Sequence, residues 1–367
     1  MKRIVCICMI LCLALGGCSG LLEGSYAWTA PHQAQEIQTN PDNVHAANYL
    51  ELIAALGNLA VNGIETGIIY VPQYNTARFE ADMDSAIVHV LNTNPIAAYA
   101  VDEIHWELGS NSGQRAVSVS ISYLHDRTEI RKIKHVANVE EAETALCSAL
   151  DSTSPSLVLY LNEFTPTDFL SIAERHAFEH PESVMEMPQV NVNVYPQQGV
   201  ARVVELKFQY STNRETLRTM HSQVSSILSA AQSYVSQTAQ QQQKLTQLYS
   251  FLMEHFDYKI ETSMTPAYSL LCHGVGDPKA FATVYAAMCR DAGLECKVVT
   301  GTYQGQHWYW NLVQLDGAYY HVDLLNSSQF GYLMLQLDEY MTGYVWDYSA
   351  YPATPTAPKE TPILILP

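Results

Sequence analysis

Basic side chains are scarce in this chain. Its 367 residues hold 19 Lys and Arg against 37 Asp and Glu, for a formal net charge of −18. Such a surface repels polyanions, which excludes nucleic acid and anionic lipid head groups as partners held by bulk electrostatics. Metal-ligand spacings are missing as well, with no CxxC, no Cys/His cluster and no HExxH. Neither the phosphate-cradling G-x4-G-K-[ST] nor a G-x-S-x-G nucleophile turn occurs. The sequence therefore implies no metal and no cofactor. No apolar run is long enough to cross a bilayer.

What is present begins with MKRIVCICMILCLALGGCSG. Lys2 and Arg3 precede a short apolar stretch, Ile4 to Leu15, the pattern of an export signal. The stretch ends in Leu15-Gly16-Gly17-Cys18, which resembles a bacterial lipobox. Residues 1–18 are thus expected to be a lipoprotein signal, with Cys18 lipidated after cleavage and several acyl chains holding the protein to a membrane outside the cytoplasm. Cys6, Cys8 and Cys12 would leave with the signal. The remaining thiols, Cys147, Cys272, Cys289 and Cys296, read as small buried apolar groups. Residues 19–43 have no periodicity and read as a tether.

Residues 44–230 read as a duplicated α+β domain. GIIYV (67–71), AVDEIHWEL (100–108) and AVSVSISYL (116–124) have the pattern of strands, and MDSAIVHVLN (83–92) that of a helix. LVLYL (157–161), VNVNVYP (190–196) and RVVELKFQY (202–210) repeat the strands, and DFLSIAERHAF (168–178) the helix. An offset of 87 lays Tyr123 on Tyr210, Arg127 on Arg214, Ile130 on Leu217, Arg131 on Arg218 and Ile133 on Met220. The expected unit is β-α-β-β-α, its final helix starting at Arg127 or Arg214. The repeated Tyr and Arg are expected to tie each helix start to its strand. One long helix should run from Arg214 through the Gln-rich stretch, with its last turns in a second domain spanning 231–352. The Pro-rich tail, 353–367, should be extended, packed or loose.

The chemistry centres on GVGDPKAFATVYAAMC, Gly274 to Cys289, and on HWYWNLVQLDGAYYHVDLL, 307–325. With SFLMEHFDY (250–258) and LDEYMTGYVWDYSAYP (337–352), these stretches resemble the transglutaminase-like superfamily, which shares the papain-like fold. The resemblance implies an α+β domain with a Cys–His–Asp triad. A helix N-terminus and a histidine lower the pKa of a thiol from its ordinary value near 8.5, and the acid orients the histidine. Laid on the motifs, the nucleophile position is Pro278, the histidine position is Trp308, and the acid is Asp323, kept within Tyr320-His321-Val322-Asp323.

Two of three triad members are therefore replaced. Pro278 has no nucleophilic atom, and an indole offers one donor and no base. Asp277 is a good N-cap, so the substitution preserves the helix while removing the chemistry. The expected reading is a pseudoenzyme whose cleft, marked by Asp277, His307, Trp308, Trp310 and Asn311, holds an extended peptide, an envelope protein or a cell-wall peptide. The alternative is an active cysteine hydrolase or acyltransferase using a displaced thiol, Cys272 or Cys289, with His307 brought round by a local bulge. A third reading is a folded spacer without a ligand. Frequent tyrosines, 23 in all, together with HWYW and GYVWDY, should place aromatics around the cleft.

Overall fold

A computed structural model describes residues 44–236, 238–260, 263–356 and 364–365. The expected signal segment, Cys18 and the tether lie outside the described residues. Among the described residues, no helix is long and apolar enough to cross a membrane.

The first unit starts with β1 (Val44–His45) and α1 (Tyr49–Val61). Asn48 caps α1 by accepting the backbone N–H of Glu51, while the Glu51 carboxylate takes the N–H of Ala47 at 2.8 Å. This reciprocal cap satisfies one donor that the helix leaves unpaired, the Glu51 N–H, and ties down the N–H of Ala47 just before the cap. Then follow β2 (Thr66–Tyr70), α2 (Phe79–Thr93), α3 (Pro95–Ala100), β3 (Val101–Asn111) and β4 (Gln114–Tyr123). A single turn, α4 (Arg127–Ile130), leads to the second unit: β5 (Lys134–Val136), α5 (Val139–Asp151), β6 (Ser156–Leu161), α6 (Phe169–Glu179), β7 (Gln189–Tyr195) and β8 (Arg202–Gln209). Its first helix has the same cap, with Asn138 accepting from Glu141 and Glu141 taking the N–H of Ala137.

The two sheets are built alike, in the orders β1-β2-β4-β3 and β5-β6-β8-β7. In each, the first pair is parallel and the other two are antiparallel. α1 buries Leu52, Ala55, Leu56, Leu59 and Ala60, and α5 buries Ala142, Ala145, Leu146, Ala149 and Leu150. Both series follow helical spacing, so each helix turns one apolar face to its sheet. Each unit thus carries an additional β-α pair in front of the expected β-α-β-β-α order. The opening strand and helix escaped notice because each edge strand is only two or three residues long. The helix expected from Arg127 ends after one turn, where Ile130 and Ile133 become buried.

The repeated Tyr and Arg play unequal parts. The Tyr123 hydroxyl donates to the carbonyls of Leu59 and Ile64, both at 3.1 Å, tying β4 to the end of α1. Arg214 Nε donates to the Thr153 carbonyl at the end of α5. The Tyr210 hydroxyl is buried without a partner among the described residues.

The units stack in chain order. Ile96, Tyr99, Ala100, Ile130 and Ile133 of the first bury Val203 on the sheet of the second. The second passes its chain to the third through α7 (Arg214–Tyr234), whose start is held by Glu186. That buried carboxylate accepts the N–H groups of Ser211 and Thr212. The long connecting helix expected here is two helices, with α7 ending at extended Val235 and α8 (Gln241–His255) starting at Gln240. Leu217, Val224, Leu228 and Ala231 share one core with Leu245, Leu248 and Leu252. All of α7 therefore packs with the third unit, and the expected boundary near 230 falls inside a helix.

The third unit continues with β9 (Asp257–Tyr258), α9 (Pro266–His273), β10 (Val275–Gly276), α10 (Pro278–Asp291), β11 (Cys296–Tyr303), β12 (Gln306–Leu315), β13 (Ala318–Val322), α11 (Leu324–Ser328), β14 (Met334–Leu335), β15 (Tyr344–Trp346) and β16 (Leu364–Ile365). Its sheet, β13-β12-β11-β15, is antiparallel throughout. Every residue of α10 from Ala280 to Cys289 is buried. Within the described part of the tail, β16 pairs with β14 and the Thr354 hydroxyl accepts the N–H of Asp338.

Gly301 in β11 is needed for a close approach. A Cβ there would lie 2.3 Å from the Val345 carbonyl and 2.7 Å from the Trp310 ring. Gly301→Ala is expected to destabilise the fold by roughly 1–3 kcal/mol through overpacking. Gly109→Ala, where no atom lies within 4 Å, should be close to neutral. Urea denaturation of both variants checks this.

Candidate functional site

Asp323 follows β13 and caps α11. It is 2 % exposed, and four donors converge on it. Trp308 Nε1 donates to Oδ2 at 2.7 Å and the Tyr344 hydroxyl to the same oxygen at 2.8 Å. Asn326 gives its backbone N–H to Oδ1 at 2.9 Å and its side-chain amide to Oδ2 at 3.1 Å. Burial pushes the Asp323 carboxyl up from the ordinary range, and these donors pull it partly back. Burial and the neighbouring carboxylate together push the Tyr344 hydroxyl up. A carboxylate so surrounded is fixed in position. It holds the Trp308 indole through Oδ2.

Sheet geometry explains the Trp308–Asp323 contact. β12 and β13 pair in continuous register, with Asn311 opposite Val322 and Leu312 opposite His321. Trp308 and Trp310 therefore share a face with His321 and Asp323. Trp310 is fully buried and donates to His321 Nδ1 at 2.9 Å, and His321 Nε2 lies 2.8 Å from Asp338 Oδ1. Because an indole only donates, Nδ1 must be the acceptor. His321 is accordingly neutral, carries its proton on Nε2 and gives it to Asp338. Burial lowers its pKa, against the pull of Asp338.

The start of α10 lies nearby. Asp277 caps it, with Oδ1 accepting the N–H of Ala280 at 2.8 Å, and Pro278 is its first residue. Tyr258, paired with Gly276 through β9 and β10, stands beside both motifs. Its ring centre is 6.2 Å from that of Trp308, and burial with the charges of Asp277 and Asp323 raises its hydroxyl pKa. Asn311 turns to the opposite face, donates to the Ala282 carbonyl at 2.8 Å and ties β12 to α10. Its Oδ1 is buried without a partner among the described residues.

Of the residues singled out in the sequence, Asp323 and Trp308 are thus bonded directly, with Asp277 and Pro278 beside them across Tyr258. Trp310 and Asn311 serve the core. His307 is exposed, and its Nε2 lies 2.9 Å from the Tyr309 hydroxyl on the face turned away from Asp323. β11 and β12 pair without a register shift, so no bulge brings His307 round. Cys272 packs against the core and Cys289 is fully buried. Burial raises both thiol pKa values, Cys289 well above the ordinary value, which is opposite to what a nucleophile needs. Sequence reasoning missed Asn326 and Tyr344 as partners of the acid and Tyr258 beside Trp308. Tyr258 and Tyr344 lay within the quoted stretches SFLMEHFDY and LDEYMTGYVWDYSAYP, whereas Asn326 carried no signal.

Residues 229–324 match the transglutaminase-like superfamily, so the third unit is a transglutaminase-like domain. Among solved structures, a TGase has 10% identity and a TM-score of 0.26 over 52% of this chain and 58% of its own. A protein described as a candidate protease from Parabacteroides distasonis has 11% identity and a TM-score of 0.23, over 70% of this chain and 39% of its own. One described as a candidate cysteine protease from Cytophaga hutchinsonii has 11% identity and a TM-score of 0.22, over 37% and 61%. This chain thus spans less than two thirds of each. No curated protein matches.

Trp308→Phe keeps a ring and removes the donor to Asp323. It is expected to cost about 1–3 kcal/mol, the range for a hydrogen bond to a charged group, measured by chemical denaturation. The neutral His321 sets a pH dependence. Its folded pKa is lowered, so the unfolded chain binds the extra proton first as pH falls. Its contribution is complete above the unfolded value of about 6.5 and is lost as pH falls from there through the folded value. The unfolding midpoint should drop over that limb, and His321→Gln should flatten it.

Proposed function

We propose that the protein is an exported, lipid-anchored envelope protein whose transglutaminase-like domain binds a peptide or protein rather than catalysing a reaction. The observation that carries this reading is the Trp308 indole donating to Asp323, with Pro278 opening α10. An acid is kept in place, but its partner is a side chain that cannot accept a proton, and the helix start has no nucleophile. The half-buried Cys272 and the buried Cys289, both with raised thiol pKa, and the averted His307 weigh against a displaced catalytic pair. The ligand class follows from the superfamily, whose active members act on extended chains or side-chain amides. The anchor is Cys18, as the lipobox resemblance implies.

Thiol labelling of the native protein tests the absence of catalysis. No thiol should label with a midpoint below the ordinary value near 8.5. A native Cys272 or Cys289 labelling with a midpoint well under 8 would restore the hydrolase reading. The double substitution Pro278→Cys, Trp308→His asks whether the triad positions are correctly assigned. The introduced thiol should label faster at neutral pH in the double variant than in Pro278→Cys alone, because only the former sets an imidazole beside it. Equal rates would show that the two positions do not meet. For the anchor, palmitate should be incorporated into the full chain expressed in a bacterium and lost in Cys18→Ser.

A further inference from the structure

The start of α10 has a second side. On the face of β12 that carries Tyr309, a groove of 590 Å³ opens between the third unit and α6 of the second. Phe178, Met185, Met187, Met264 and Tyr309 are prominent in its walls. Thioether side chains adapt to irregular apolar ligands, and Met264 is 62% exposed. The groove is held in shape by Arg290 at the far end of α10, which donates to the Glu179 carbonyl at 2.9 Å and to Glu182 Oε1 at 2.5 Å.

Lys279 enters this groove from the first turn of α10. Its ammonium lies 5.7 Å from the centre of the Phe178 ring and 5.9 Å from that of Tyr309. It forms no ion pair with a carboxylate of the described residues. Asp277 gives an oxygen to the helix cap, and Arg175 of α6 is paired with Glu143. A half-buried cation at the positive end of a helix is disfavoured. Cation–π contacts with the two rings offset only part of that. An anion delivered by a ligand would complete the site. Glu174 lines the groove one helical turn before Phe178 and repels an anion on its side of the ring.

We propose that this groove binds the C-terminal end of an extended apolar peptide, with the terminal carboxylate on Lys279 and the side chains against Phe178 and the methionines. Glu174 sets the direction, so the chain runs toward Lys279. The proposal rests on the binding-module reading and names its ligand.

The test is affinity capture by the full chain from a mixture of tetrapeptides randomised over Ala, Leu, Met and Phe, with mass-spectrometric readout. One half of the mixture has free C-termini and the other half is amidated. Free acids should be enriched over amides by about tenfold, the scale of one charge-assisted contact. Lys279→Met should abolish the preference for acids, and Phe178→Ala should weaken retention of both forms, with folding of each variant checked by circular dichroism. Equal retention of acids and amides, or retention unchanged in Lys279→Met, would overturn the proposal, as would retention of neither form. Cleavage of a captured peptide would instead sink the non-catalytic reading and leave the groove assignment standing.

Discussion

A buried carboxylate needs donors, and in this protein the demand of Asp323 organises the third unit. Its four hydrogen bonds come from β12, from α11 and from β15. Removing water from an acid costs several kcal/mol unless such partners replace it. The chain segments that supply them are thereby fixed relative to one another. Trp310, His321 and Asp338 repeat the arrangement one step along the same sheet face. The two networks make a polar seam through an otherwise aromatic layer of Val299, Trp310, Leu312, Tyr344 and Trp346.

That seam separates two faces of β12 with different uses. Trp308 fills the space beside Asp323 on one face. Tyr309, on the other, opens onto the groove that α6 closes. The same alternation of side chains puts His307 on the groove face and out of reach of the acid. The Trp308 N–H satisfies the Asp323 carboxylate and keeps the seam intact, and Asp277 and Pro278 cap and open α10.

The first two units serve the third by serial stacking. Each lays part of one unit on a surface of the next, through Ile96, Tyr99, Ile130 and Ile133 in one case and through Met185 and the Glu179 carbonyl held by Arg290 in the other. Strands with clean alternation were legible in the sequence, among them those around Val117, Val119 and Ile121. α1 and α5 were not, although their Asn caps and spaced leucines are plain once seen, because the short edge strands before them gave no frame. The break between α7 and α8 was hidden by glutamines, which favour helix wherever packing allows it. At the site, Asp323, Pro278 and Trp308 were legible because motif spacing along the chain places them.

The sequence by itself determined the α+β composition and the transglutaminase-like third unit. These are properties of residue identity and local spacing. Only the tertiary structure decided what Asp323 bonds to, which way His307 points, and where Lys279 lies. Those depend on strand register and on α6 packing against α10, contacts between residues about a hundred positions apart. Local periodicity carries no information about such pairings, whereas burial of the shared core selects one of them.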